Sequence, residues 1–220
     1  SRVVIKNTDF VSNHAGGQGG AVFARSSFDN VANDTIINCM FRENISDGSN
    51  TINDGAGGAI FIRSSQNGSR THQIINAVFY KNFAAQSGGA VGTTSFVSAP
   101  GNNFVDIVNS TFFQNTTNGN GGALHADGSQ GVHQVNIRNS ILWDNQSEVD
   151  QNEVFNIDAN ISIDYANIKH AIPKNITDGG KSLSEDPQFG GPENGDRRIS
   201  ACSPRVEAGN NDHIPKDFIG

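Results

Sequence analysis

The sequence is poor in charge, in sulfur and in long apolar runs. Charged side chains make up 17% of the 220 residues, and there are two cysteines, one methionine and one tryptophan. Two cysteines are too few for a disulfide framework. The net charge is −7 without a basic cluster, which argues against a nucleic-acid partner and an anionic membrane surface. No apolar run approaches the length needed to cross a bilayer, so we expect no membrane span in this segment.

A repeated pattern runs through most of the chain instead. Each copy reads Asn-x-x-Phe-x-x-Asn and continues, after a short polar loop, with Gly-Gly-Ala and an aliphatic residue. The first Asn of the copies stands at Asn7, Asn38, Asn76, Asn109 and Asn139, and the last copy has Leu for Phe and lacks the glycine half. The copies are therefore 31, 38, 33 and 30 residues apart. Periods of this length are typical of solenoids.

Two apolar columns define the core of each copy. The residue two places before the first Asn is always Ile, and the residue three places after it is Phe or Leu. Because side chains alternate faces along a strand, these columns are expected to point inward. We therefore predict an all-β parallel β-helix, with Ile74 and Phe79 buried and with Ile36 and Ile107 next to Ile74. An antiparallel sandwich of repeated hairpins is the alternative, although hairpins need no repeat of this length.

The two Asn positions of the pattern are predicted to stack into two internal ladders. The first contains Asn7, Asn38, Asn76, Asn109 and Asn139, and the second contains Asn13, Asn44, Asn82, Asn115 and Asn145. Stacked amides can hydrogen-bond to each other and to turn backbone, which offsets the cost of burying them. The repeat pattern is lost after Asn145. We therefore assign residues 1–145 to the coils and 146–220 to a last coil and an irregular C-terminal cap of the same domain.

The paired motifs of residues 7–145 resemble the repeats of polymorphic outer-membrane proteins, which are surface β-helices. The C-terminal part, with Asp186-Pro187-x-Phe189 and Ser203-Pro204 before Ala208-Gly209, resembles secreted bacterial proteins of the choice-of-anchor Q class. These resemblances imply a right-handed β-helix, secretion, and attachment to or display on a cell surface. They imply no single activity, because such proteins include adhesins, structural modules and carbohydrate-active enzymes.

The sequence predicts no catalytic residues. Polysaccharide-cleaving enzymes built on β-helices are expected to place carboxylates on adjacent coils, and no aligned column does so. The six histidines have no metal-ligand spacing. No cofactor is expected, although Asp54, Asp127 and nearby loop carbonyls offer oxygen ligands suited to calcium.

One outward column stands out because it is aromatic. Tyr80, Phe113 and Trp143 directly follow the Phe column on consecutive copies, and we call them the aromatic stripe. Either the stripe is a platform for sugar rings or another protein chain, or the C-terminal segment folds over it. The sequence leaves both alternatives open.

The first functional hypothesis is an extracellular structural or adhesive module, secreted or on the cell surface. The alternatives are a polysaccharide-degrading enzyme and a carbohydrate-binding module. Possible partners are other surface proteins, polysaccharide, or a second copy stacked end to end, because the first coil begins abruptly at Val3 in register with the repeat. Cys39 and Cys202 are expected to be free thiols, because they lie several coils apart.

Overall fold

The chain folds into a parallel β-helix in which each repeat forms one coil. The computed structural model describes residues 1–49, 55–95, 100–191, the backbone of 196–199, and residues 203, 208–210 and 212. Corresponding strands of successive coils pair in parallel and form four sheets that run along the solenoid. No helix in this described part is long and apolar enough to cross a membrane.

The strands of each sheet come from the same position in successive repeats. The first sheet contains β1 (Arg2–Lys6), β5 (Val31–Ile37), β9 (Ser69–Ile75), β13 (Asn102–Val108), β17 (His133–Arg138), β21 (Asn160–Asp164) and β23 (Thr177–Asp178). The second contains β2 (Asp9–Val11), β6 (Met40–Arg42), β10 (Val78–Tyr80), β14 (Thr111–Phe113), β18 (Ile141–Trp143) and β22 (Asn167–Ile168). The third contains β3 (His14–Ala15), β7 (Ile45–Ser46), β11 (Phe83–Ala84), β15 (Thr116–Thr117) and β19 (Gln146–Ser147). The fourth contains β4 (Val22–Ser26), β8 (Ile60–Ser64), β12 (Val91–Ser95), β16 (Leu124–Asp127) and β20 (Val154–Ile157).

The predicted core columns are confirmed. Ile74 is fully buried and pairs in register with Ile36 on one side and Ile107 on the other. Phe79 is also fully buried, and its ring stacks between those of Phe41 and Phe112, with centroids 4.9 and 4.5 Å away. Because each coil places the same side chain at the same level, the core is a set of columns rather than an irregular cluster.

Left-handed backbone at the coil corners explains the fixed Asn and Gly positions. The first Asn of every copy has a φ between 50° and 52°, a region in which Asn is enriched among residues with a side chain. Gly88 has a φ of 62°. A Cβ on the following Gly89 would lie 2.1 Å from the Gly122 carbonyl oxygen of the next coil. The glycine pair therefore combines a left-handed turn with a close approach between coils.

The first Asn column lies on the outside, so the prediction that it is internal was wrong. Asn7, Asn38 and Asn76 are exposed, and Asn109 and Asn139 are half-buried. The left-handed corner turns these side chains away from the core. They still bond between coils, because Nδ2 of Asn38 donates to Asn7 Oδ1 at 3.2 Å and Nδ2 of Asn76 donates to Asn38 Oδ1 at 2.7 Å.

The second Asn column is internal, as predicted. Asn44, Asn82 and Asn115 are fully buried, while Asn13 on the first coil is exposed. Each Oδ1 accepts two hydrogen bonds from the Asn of the preceding coil, one from its backbone N–H and one from its side-chain amide; for Asn82 the distances are 3.0 and 2.9 Å. Asn82 Nδ2 then donates to Asn115 Oδ1 at 2.8 Å and to the Phe41 carbonyl at 3.0 Å. All four bonds of the buried amide are thus made.

The coil pattern continues past Asn145 and is followed by a segment that folds back. Strands β20, β21, β22 and β23 extend three of the four sheets to Asp178. Beyond them, β24 (Phe189–Gly191) and β25 (Asp196–Ile199) form an antiparallel pair. Asn210 exchanges two hydrogen bonds of 2.8 Å with the side chain of Asn139, so this segment returns along the coils.

The structure describes one of the two cysteines, Cys39. Cys39 is a buried free thiol, as predicted. Its Sγ lies 3.2 Å from the Ile37 carbonyl oxygen, to which it donates. Cys202 lies outside the described residues, so its state stays a prediction.

Candidate functional site

A buried carboxyl group lies where the internal ladder ends. The next coil has Ala171 where the ladder would place another Asn, because Leu142 pairs with Ile168 three residues earlier in each coil. Asn145 therefore has no amide oxygen above it. The carboxyl group of Glu153 takes that place, and its Oε2 accepts from Asn145 Nδ2 at 2.6 Å. The Asn145 backbone N–H also donates to this carboxyl group, as each backbone N–H in the ladder does to the next Oδ1.

Glu153 reaches the ladder because of its place in the repeat. The Ala of Gly-Gly-Ala points into the core on the preceding coils, and Ala59, Ala90 and Ala123 are fully buried. Glu153 occupies the same position on the next coil, since its carbonyl accepts from Ala123 and Leu124 as the Ala123 carbonyl does from the coil before. A long acidic side chain thus enters the solenoid where methyl groups stand elsewhere. This replacement is visible in the sequence, where Glu153 stands at the Ala position of the repeat, although carboxylates of a site were expected only on the outward columns.

The environment of Glu153 favours its neutral form. Burial raises the pKa of Glu153 to about 8, although hydrogen bonds from Asn145 and the charge of Lys169 oppose the increase. The residue is 1% exposed. Its Oε1 is buried without a hydrogen-bond partner among the described residues and lies 3.9 Å from His170 Nδ1. One oxygen of this carboxyl group therefore closes the ladder, and the other remains unsatisfied.

A polar cavity opens beside this ladder end. It has a volume of about 280 Å³ and is lined by Asp144, Asn145, Gln146, Ser147, Gln151, Lys169 and His170. Lys169 Nζ donates to Asp144 Oδ1 at 2.6 Å, so the two opposite charges of the lining compensate each other. The remaining groups are amides, a hydroxyl and an imidazole. His170, with 45% of its side chain exposed, lines the cavity and also lies 3.9 Å from the unsatisfied oxygen of Glu153. We call this arrangement the ladder-end cavity.

A second buried polar cluster lies inside the second and third coils. Arg70 donates from Nε and from an amino group to Asp34 Oδ2, at 2.9 and 2.6 Å. Its Nε also lies 3.0 Å from His72 Nε2. Burial lowers the pKa of His72 to about 4 despite the nearby Asp34 carboxylate. Asp34 Oδ1 and His72 Nδ1 are buried without a hydrogen-bond partner among the described residues. Because the charges of Asp34 and Arg70 compensate each other across 2.6 Å, we assign this cluster a structural role.

The aromatic stripe is in register but largely covered. Tyr80 and Phe113 pair on neighbouring strands, and their rings stack with centroids 6.0 Å apart. They are only 4% and 5% exposed. Phe189 packs its ring edge-on against Phe113, with centroids 5.0 Å apart. At Phe113 the structure therefore agrees with the second alternative, in which the C-terminal segment folds over the stripe. Trp143 alone remains half-buried.

The structure describes one of the two residues considered for calcium. Asp127 accepts the backbone N–H of Ser129 at 2.9 Å and thereby closes a tight turn, and Asp54 lies outside the described residues. Among the residues that the structure describes, no group of three His, Cys, Asp or Glu side chains has the arrangement of a metal site.

The comparison with protein families supports part of the resemblance. Residues 109–127 match the Chlamydia polymorphic membrane protein (Chlamydia_PMP) repeat. The match runs from the corner Asn109 through β14 and β15 to the end of β16, which is most of one coil. This repeat suggests a bacterial surface or outer-membrane-associated protein. No curated protein and no solved structure matches the chain significantly. The resemblance to choice-of-anchor Q proteins stays a prediction.

Proposed function

We propose that this chain is an extracellular structural or adhesive β-helix module of a bacterial cell surface. The observation that carries the proposal is the polymorphic membrane protein repeat at residues 109–127. The coil that contains it pairs in register with the coils on both sides, for example through Phe79, Phe112 and Leu142. The repeat geometry therefore extends beyond the matched residues, which supports one continuous rod rather than an isolated motif.

The buried ladder supports a mechanical role for such a rod. Each of the internal Asn side chains connects two coils through hydrogen bonds that water does not reach. The stacked phenylalanines connect the same coils through apolar contact. A module built in this way keeps its outer loops at fixed distances from one another, as a display scaffold requires.

Antibody labelling of intact cells of the source bacterium tests the location. We expect antibodies raised against the purified chain to label intact and permeabilised cells equally. Labelling that requires permeabilisation contradicts the proposal. Beads coated with the chain and applied to host cells or to purified envelope then test adhesion separately from location.

End-to-end contact between β-coils is the partner interaction that the first coil favours. The outer edges of β1 to β4 are the first edges of all four sheets, and Val3, Val4 and Phe23 are 49%, 48% and 46% exposed. Free strand edges next to exposed apolar side chains pair readily with another β-coil, whether upstream in the same polypeptide or in a second molecule. We expect light scattering on this chain to show association that increases with concentration. A strictly monomeric species at high concentration contradicts stacking between copies.

A further inference from the structure

The ladder-end cavity combines features that a merely structural ladder end does not need. A ladder can end by letting the last amide bond to water, yet here a buried glutamate closes it. That glutamate leaves one oxygen, Oε1, unsatisfied and 3.9 Å from the imidazole of His170, which itself lines the cavity. A buried polar atom without a partner costs free energy. Glu153 itself does not line the cavity, so a ligand there would meet the side chains in front of it, Asn145 and His170 among them.

The groups of the lining define the chemistry of that ligand. Lys169 and the side-chain amides of Gln146 and Gln151 supply donors, while Asp144 and the amide oxygens supply acceptors. Asp144 and Lys169 compensate each other's charge across 2.6 Å. A ligand with a net charge would find no uncompensated partner, whereas hydroxyl groups both donate and accept and so match this mixed lining.

The size of the cavity limits the ligand further. Its volume of about 280 Å³ is near the lower end of the roughly 300–1,000 Å³ typical of pockets for drug-sized molecules. One sugar ring fits such a space. The half-buried Trp143 directly precedes Asp144 and ends the strand beside the cavity.

We propose that the ladder-end cavity binds one neutral sugar residue, whose hydroxyl groups bond to the Asp144–Lys169 pair and to the amides of Gln146 and Gln151. Glu153 acts behind this layer as a positioning residue, because it holds Asn145 in the cavity wall and contacts His170 from the core side. The site gives the surface module its adhesive function, and in this respect it rests on the proposed function. Surface labelling and sugar binding are measured independently, so the failure of one is distinguishable from the failure of the other.

Titration of the full chain with simple sugars tests the proposal. Trp143 is the only tryptophan, so its fluorescence reports on the neighbourhood of Asp144. The probes are the methyl pyranosides of glucose, galactose and mannose, with glucuronate and glucosamine as charged comparisons. We expect a saturable change with at least one neutral pyranoside at millimolar concentration, and at least tenfold weaker binding of the charged sugars. No saturation with any neutral sugar up to 100 mM, or tighter binding of a charged one, overturns the proposal.

Matched variants locate the binding. Asp144→Asn and Lys169→Met each remove one member of the ion pair in the cavity, and Asn tolerates the left-handed backbone of residue 144, whose φ is 60°. The control is Asp106→Asn, because Asp106 also pairs with a cation of the next coil, Arg138, at 3.5 Å and is similarly exposed. We expect at least a tenfold loss of affinity in both cavity variants and less than twofold in the control, with unchanged circular dichroism. Equal affinity in all three variants places the sugar elsewhere and overturns the proposal.

Discussion

The two Asn columns use the same residue at the same period and serve different purposes. Asn82 lies inside the solenoid, fully buried, and makes four hydrogen bonds to neighbouring coils. Asn76 lies six residues earlier on the exposed surface and occupies a left-handed corner with a φ of 51°. The inner Asn is required because its side-chain amide makes buried hydrogen bonds. The outer Asn is required because Asn tolerates the left-handed backbone of the corner.

This difference shows that a conserved spacing within a chain does not by itself define a side-chain environment. Both columns form bonds between coils, because Asn76 donates to Asn38 at 2.7 Å. Water can replace that outer bond at little cost, but it cannot replace a bond in the core. The inner column therefore stabilises the fold mainly by giving buried polar groups their hydrogen-bond partners. The outer column stabilises it mainly by adopting the left-handed backbone of the corner without strain.

The largest loss of stability is expected from a substitution in the aromatic column, where it contacts the inner ladder. Phe79→Ala removes a fully buried ring that stacks on two others, and the Phe79 carbonyl accepts from Asn115. We expect the free energy of unfolding to fall by about 3–5 kcal/mol. Chemical denaturation measures this change. A loss below about 1 kcal/mol would mean that the stack is not the core of the solenoid.

Removing one inner amide is expected to have the next largest effect. Asn82→Ala leaves the backbone N–H of Asn44 and the carbonyl of Phe41 without the partners they have in the core. We expect a loss of about 3 kcal/mol in the free energy of unfolding, because each unsatisfied buried group costs about 1–3 kcal/mol. Denaturation with urea at neutral pH gives the value. A loss no greater than that of the outer variant described below contradicts the distinction between the columns.

Glu153 makes the contribution of the inner ladder to stability depend on pH, because it ends that ladder with a titratable group. Its pKa is raised to about 8 in the folded protein, so its contribution to stability is present below pH 4.5 and is lost as the pH rises through about 8. Burial lowers the pKa values of His72 and His133 to about 4 and also lowers the pKa of His125, so these imidazoles make stability rise with pH up to and just above pH 6.5 and partly offset the decline. Asp144, Lys169 and His170 are the charged or titratable groups near Glu153.

We therefore expect the stability of the wild-type chain relative to Glu153→Gln to fall by about 1.5 kcal/mol between pH 6.5 and pH 8, because the histidines contribute equally to both chains. Thermal melting across this pH range provides the comparison. Asp106→Asn serves as the control and is expected to keep the decline. An identical decline in Glu153→Gln would show that another group carries the pH dependence.

The outer column is expected to give the smallest effect. Asn76→Ala places a Cβ residue without a polar side chain in the left-handed corner, at a cost of about 1 kcal/mol. Asn76→Gly is expected to be close to neutral, because glycine adopts this backbone freely. If the glycine variant is as unstable as Asn82→Ala, the side chain of the outer Asn matters as much as that of the inner one.

The repeat made much of the fold predictable from the sequence. Strand alternation identified Ile74 and Phe79 as core residues, and the period placed their neighbours on adjacent coils. The side of Asn76 was not predictable from spacing alone, because a left-handed corner reverses the direction that simple alternation implies. The contact between Phe189 and Phe113 could not be predicted from the repeat, because the folded-back segment does not contain the repeat motif.

The candidate site was less predictable than the fold. Glu153 stands in the Ala column, and this replacement could have been noticed in the sequence. The end of the ladder was harder to recognise, because it depends on Ala171 occupying the Asn position in a coil whose motif has degenerated. The cavity beside it involves residues from two successive coils, Asp144 and Lys169, and their contact follows only from the register of β18 and β22.

Hydrogen exchange of the Asn side-chain amides, followed by NMR, tests the distinction between the columns most directly. The Nδ2 groups of Asn44, Asn82, Asn115 and Asn145 are buried and bonded, so we expect them to exchange only through global opening of the solenoid. Those of Asn7, Asn38 and Asn76 are expected to exchange at rates close to those of free asparagine. Equal protection of the two groups, or faster exchange of the inner one, would contradict the assignment of one ladder to the core and the other to the surface.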